Sequence, residues 1–226
     1  VSAVTMSREV RRRWWWVLWS LLTLSALAIA AVFVPPYMVG GTTVPGLNRS
    51  IPGYYVSLVI HAMPAGLALV IGPFQFVTPL RVRFPRAHRI AGRVYLISVL
   101  IASLAAVYSS VVTESGLTLQ VAFFMLIAAW LYTGVMAYRT IRRGEVQLHR
   151  IWMVRNYALT FAAVTLRLYQ LIGLQLMDPM GWEYPQIYAS SAWASLFGNA
   201  IIAEYFIVQR MLAPVARRKR LENVAQ

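Results

Sequence analysis

Apolar residues run through this chain in six long stretches, near 14–34, 56–80, 89–112, 117–138, 150–176 and 187–212. Each is long enough for a membrane-spanning helix, which needs about 20 apolar residues. Polar residues collect in the connections, and the basic ones collect at one set of helix ends. All but Arg49 and Arg167 of the 21 Lys and Arg residues fall in four clusters: Arg8 to Arg13, Arg81 to Arg93, Arg139 to Arg155 and Arg210 to Arg220. The positive-inside rule produces this asymmetry. The pattern predicts an all-α integral membrane six-helix bundle, with 1–226 forming a single transmembrane domain. It places the N- and C-termini in the cytoplasm and the multi-pass protein in a bacterial cytoplasmic (inner) membrane.

Composition agrees with that reading. The chain is 59% hydrophobic and 12% charged, where a soluble domain carries about 25% charged residues. A net charge of +14 would point to nucleic acid in a soluble protein. Here the charges sit at helix ends and meet anionic lipid headgroups, so the expected contact is the lipid bilayer and not nucleic acid. The absence of Cys excludes disulfides and thiolate sites. The run from Trp14 to Val34 follows Arg11 to Arg13 and ends near Ala28-Ile29-Ala30. It exceeds the roughly 7–15 residues of a signal h-region and reads as a retained first helix. Trp14, Trp15, Trp16, Trp19, Tyr54, Tyr55, Trp182 and Tyr184 stand where an interfacial aromatic belt belongs.

The connections carry helix breakers. Pro35, Pro36, Gly40, Gly41, Pro45, Pro52 and Gly53 make the first external loop too broken for a helix. A second such loop is expected from Met177 to Pro185. Helices 1 and 4 contain no charged residue and read as more peripheral. Helices 2, 3, 5 and 6 hold the intramembrane polar groups, which predicts a four-helix polar core. A short internal echo links His88-Arg89-Ile90 with His149-Arg150-Ile151, each opening a helix that enters from the cytoplasm.

The three histidines are the sharpest chemical feature. His61 precedes Arg81 by 20 residues, about 30 Å of helix, so it lies near the outer face. Arg167 follows His149 by 18 residues, about 27 Å, and reaches a similar depth. At 100° per residue His149, Asn156, Thr160 and Arg167 share a stripe, with Gln170 at its edge. His61, Ala65, Ala68, Gly72 and Gln75 form another. Polar groups in a span face the bundle interior. A candidate site for an anionic or carbonyl-bearing ligand therefore comprises His61, Gln75, Asn156, Arg167, Tyr169 and Gln170, with Arg167 snorkelling to the headgroups as the alternative. Glu204 is the one acid deep in a span, and a buried ion pair with Arg155 or Arg93 is expected.

His88 and His149 lie at matched depth on parallel helices. Two such imidazoles suit a b-type haem, which they would ligate from opposite faces, with Arg89, Arg93, Arg150 and Arg155 holding the propionates. Both histidines sit at the very ends of their helices, and an interfacial hydrogen bond to a loop carbonyl is the alternative. A metal site needs a further ligand, and none but Glu145 lies near.

Three segments in order carry a resemblance: His61-Ala62-Met63-Pro64-Ala65-Gly66 through Ile71-Gly72-Pro73-Phe74-Gln75-Phe76; Pro85-Arg86-Ala87-His88-Arg89 with Gly92-Arg93-Val94-Tyr95; and His149-Arg150-Ile151-Trp152-Met153 with Arg155-Asn156-Tyr157-Ala158. Over about residues 56–175 the chain resembles the bacterial membrane proteins grouped as domain of unknown function 2306. The resemblance implies a multi-helix membrane protein and carries over no catalytic residue. Three readings follow. One is a redox protein with haem b at His88 and His149 and a quinone near His61 and Arg167. The second is a small-molecule transporter or ligand-binding bundle, in which Pro64, Gly72 and Pro73 break helix 2. The third is a non-catalytic subunit or assembly factor, with helices 1 and 4 against a membrane-protein partner. No Walker loop, Rossmann glycine pattern or HExxH motif is present.

Overall fold

The computed structural model describes residues 8–40, 48 and 50–207. Every regular element among them is helical. In chain order these are α1 (Arg8–Phe33), α2 (Pro35–Met38), α3 (Tyr54–Gln75), α4 (Thr78–Arg83), α5 (Pro85–Val112), α6 (Leu117–Arg142), α7 (Val146–Thr160), α8 (Ala162–Met180) and α9 (Tyr184–Ile207). Five stretches among the described residues are long and apolar enough to cross a membrane: Arg12–Met38, Tyr54–Gln75, Pro85–Val112, Leu117–Arg142 and Val146–Met180. The 24-residue α9 is not among them, because Asn199, Glu204 and its serines dilute its apolar run. The expected helix end at 208–212, the cluster Arg210 to Arg220, and Gly41 and Pro45 of the first loop lie outside the described residues.

The long helices run antiparallel as neighbours. His61 on α3 meets Ala102 on α5, while Gln75 at the other end of α3 approaches Gly92. Ala137 on α6 meets His149 on α7, and Trp130 meets Thr160. One end of the bundle therefore gathers Arg81, Arg89, Arg139 and Arg150, the basic end. Glycines set the closest approaches. A Cβ at Gly173 would lie 2.5 Å from the Ile187 side chain, and one at Gly66 would lie 2.7 Å from Val34. Small residues at such contacts let helix backbones pack tightly where no hydrophobic effect drives association.

Three expectations about the elements need correcting. The second apolar stretch does not continue to residue 80: α3 stops at Gln75, Val77 is extended, and α4 restarts with Pro79 in its first turn, where a missing N–H is harmless. The fifth stretch is two helices meeting at Phe161. Asn199 on α9 stabilises this break, its amide donating to the Ala158 carbonyl at 3.0 Å and to Thr165 Oγ1 at 3.1 Å. Backbone groups freed inside a membrane need such partners. The first loop also holds a helical turn, α2, opened by Pro35 and Pro36.

A fourth correction concerns the core. α1 is peripheral, with most of its large apolar side chains exposed, but α6 is a core helix that buries Leu119, Ala122, Trp130 and Ala137. Trp130 and Thr133 on α6 belong to a buried hydrogen-bond network. The expectation of a peripheral fourth helix rested on its lack of charge. The polar groups of the core are instead neutral side chains, which hydrocarbon tolerates once they are bonded.

Candidate functional site

The bundle holds three polar regions. At the centre, Tyr95 on α5 donates its hydroxyl to Asn156 Oδ1 on α7 at 2.7 Å, and the Tyr95 hydroxyl oxygen lies 2.7 Å from Thr160 Oγ1. The Trp130 indole donates to Thr160 Oγ1 at 2.9 Å. Asn156 Nδ2 donates to the Trp130 carbonyl and to Thr133 Oγ1, both at 2.8 Å. Both amide hydrogens and the amide oxygen of Asn156 are thus engaged inside the protein, and the residue is fully buried. Tyr157 joins α3 to this core by donating to the Leu69 carbonyl at 3.1 Å.

At the end opposite the arginine clusters, Arg167 on α8 stands part-buried. Its Nη1 donates to Gln170 Oε1 at 2.6 Å, and its guanidinium lies 5.0 Å over the Phe33 ring of α1. Tyr37 on α2 and Tyr184 on α9 lie within electrostatic reach of it. The Tyr55 hydroxyl donates to the Tyr37 carbonyl at 2.5 Å and holds α2 against α3. His61 on α3 also lies within reach of Arg167. Its Nδ1 is bonded to the Ala102 carbonyl at 2.9 Å. No carboxylate among the described residues forms an ion pair with Arg167.

At the basic end His88 is half-buried, with His149 and Arg81 in electrostatic reach. His149 bonds the Ala137 carbonyl through Nδ1 at 2.8 Å. Arg89, Arg93 and Arg150 are exposed. Gln75 Oε1 is buried without a hydrogen-bond partner among the described residues, beside Gly92. Arg155 pairs with Glu204, Nε to Oε1 at 2.5 Å and Nη2 to Oε2 at 2.9 Å, and stacks over Trp152. The pair is not buried as expected, because its side chains are 29% and 48% exposed at the bundle surface. Glu204 falls on the outward face of α9, where Ile201, Ile202 and Tyr205 are also exposed.

The residues grouped from the sequence as one ligand site therefore separate. Arg167 bonds Gln170, and His61 lies within electrostatic reach of Arg167. Gln75 lies 14 residues down α3 from His61, about 21 Å away at the basic end. Asn156 belongs to the central network. Tyr169 points across the α8–α9 contact, its hydroxyl facing Gly198. Sequence reasoning did not assign Phe33, Tyr37 or Tyr184 to this cluster. Their signal was only the run of aromatic residues at the helix ends, which interfacial anchoring explains equally well.

No curated protein and no solved structure matches the chain. A family described as predicted membrane protein, DUF2306, matches residues 58–207, a region that takes in all three histidines, Arg167 and the Arg155–Glu204 pair, and the chain belongs to that family.

Proposed function

We propose that this multi-pass membrane protein crosses a bacterial inner membrane six times and binds a small oxyanion or carbonyl-bearing ligand near its outer face, between Arg167 and His61. One observation carries the reading. Arg167 is a part-buried cation inside a membrane helix, and its polar partner is the neutral Gln170. A guanidinium in a span costs about 2.5–3.5 kcal/mol at the centre on insertion scales and less towards the outer face, and an anionic partner in a medium of low dielectric offsets that cost. The four further N–H groups of the guanidinium suit a planar carboxylate or a phosphate. A quinone carbonyl belongs to the same acceptor class.

The test is benzoate binding to protein in zwitterionic nanodiscs, followed by calorimetry, for the native chain and Arg167→Gln. Benzoate binding lost in the variant supports the site. Equal binding by both proteins, or none by either, refutes it. Headgroup phosphate is the other source of this chemistry. Native mass spectrometry after purification with phosphatidylglycerol separates the two, because a retained lipid that benzoate does not displace assigns the site to the headgroup.

A second reading, haem b ligated by His88 and His149, draws on one observation. The Ala137 carbonyl takes the Nδ1 hydrogen of His149 and leaves Nε2 as a lone-pair donor, the arrangement common to metal-ligating histidines. The exposed Arg89, Arg93 and Arg150 suit propionates, whereas Arg155 is engaged by Glu204. When bound, a haem would supply one-electron chemistry. The reduced-minus-oxidised absorption spectrum of protein expressed with haem supply tests it: a Soret and α-band lost in His88→Ala and His149→Ala supports the reading, and a colourless folded protein ends it.

A further inference from the structure

We infer that His61 makes the Arg167 site selective for ligands bearing a hydrogen-bond donor as well as an acceptor oxygen, so that hydroxylated carboxylates or carbonyls bind in preference to their deoxy analogues. The inference rests on the ligand-binding reading above and adds the chemical class of ligand. A backbone carbonyl only accepts hydrogen bonds. The Nδ1 atom of His61, 2.9 Å from the Ala102 carbonyl oxygen, therefore carries the hydrogen of the neutral ring. The tautomer is fixed by α5, and Nε2 is left as an acceptor. No other hydrogen bond of the His61 ring exists among the described residues.

Arg167 has the opposite polarity, since every guanidinium hydrogen donates and no atom accepts. A ligand spanning both side chains thus places an acceptor at Arg167 and a donor at His61. A ligand without the hydroxyl removes water from Nε2 and gives nothing back. Sites built to bond a hydroxyl discriminate strongly against analogues lacking it, because a buried polar group is left unpaired.

The experiment compares benzoate, 3-hydroxybenzoate and 4-hydroxybenzoate by calorimetry in zwitterionic nanodiscs at pH 8, above the ordinary imidazole value of about 6.5. The expected result is that at least one hydroxybenzoate binds the native protein about tenfold more tightly than benzoate, a preference of one good hydrogen bond. In His61→Phe the ratio of hydroxybenzoate to benzoate affinity falls to about one, whatever the absolute affinity of benzoate. His61→Asn keeps an amide donor for the Ala102 carbonyl but is too short to reach the ligand, and serves if His61→Phe folds poorly. Equal affinity for all three compounds, still abolished by Arg167→Gln, overturns the selectivity and leaves the site standing. A hydroxyl preference that survives in both His61 variants also overturns it. Absence of binding by all three compounds refutes the site itself and the inference with it.

Discussion

The Tyr157 hydroxyl donates to the carbonyl of Leu69, the group that Pro73 leaves without a helical partner. Residue 73 would ordinarily donate its N–H four residues back, and proline has none. Gly72 makes the repair feasible, because a Cβ there would lie 2.0 Å from the Tyr157 ring. The Gly72-Pro73 pair and Tyr157 are one unit: the glycine admits the ring, and the proline frees the carbonyl that the ring's hydroxyl satisfies. Tyr157→Phe should therefore destabilise the protein by about 1–3 kcal/mol, the cost of an orphaned buried carbonyl. Pro73→Ala restores the backbone donor and should make Tyr157→Phe nearly neutral. A double-mutant cycle on unfolding in detergent measures the difference. Additive effects of the two substitutions would show that Leu69 finds another partner.

Asn156 is the hub of the central network and should behave as a structural lock. Asn156→Leu keeps the volume but removes partners from Tyr95 and Thr133. A loss of about 1–3 kcal/mol is expected, with a smaller loss for Tyr95→Phe. Because the two residues share one hydrogen bond, the double variant should lose less than the sum of the single losses. Additivity would mean that the two side chains are energetically independent. Ligand affinity at Arg167, about 16 Å further along the α7–α8 rod, should not change in Asn156→Leu.

The Arg155–Glu204 pair lies on an exposed face, which limits what it contributes. Glu204→Gln leaves an acceptor for Arg155, and Arg155 keeps its position over Trp152, 4.6 Å from the ring centroid. The expected cost is that of a surface ion pair, about 0–1 kcal/mol. Arg155→Met should cost more, since it also removes the stacking over Trp152 and leaves the carboxylate without its cation. A loss of about 3–5 kcal/mol for Glu204→Gln is the signature of an enclosed pair, and would show that another protein covers this face in the membrane.

Some of this architecture is legible in the sequence, and the rest is hidden for physical reasons. Apolar runs of spanning length are a local property, so the stretches that form α1, α3, α5 and α6 stand out from hydropathy alone. Arg167 and His61 are recognisable as polar groups at similar depth. Their surroundings are not, because Phe33, Tyr37 and Tyr184 come from helices far apart in the chain. Charge, the strongest signal in an apolar sequence, does not mark the core network. Tyr95, Trp130, Thr133 and Thr160 are neutral and common in membrane helices, and only their convergence on Asn156 distinguishes them. The Tyr157–Leu69 bond joins residues 88 positions apart, and no local pattern announces it. The break at Phe161 contains no proline, so nothing in the hydropathy separates two helices from one.

Topology gives the last prediction. α9 has 24 residues, about 36 Å of helix, enough for a hydrocarbon core of about 30 Å. Its low apolarity is no barrier to crossing, because its polar groups are already partnered: Asn199 donates to Ala158 and Thr165, and Glu204 meets Arg155. If α9 crosses, a reporter fused after Gln226 reports from the cytoplasm, as does one inserted after Arg143, while one inserted after Trp182 reports from the outer side. Alkaline phosphatase should be active at Trp182 and silent at the other two, and a fluorescent protein that folds only in the cytoplasm should give the reverse. Active phosphatase at Gln226 would mean that α9 returns to the outer face. The bond from Asn199 to the α7–α8 break would then have to form outside a spanning bundle, which its packing against the part-buried Ala158 and Thr165 of the Val146–Met180 span argues against.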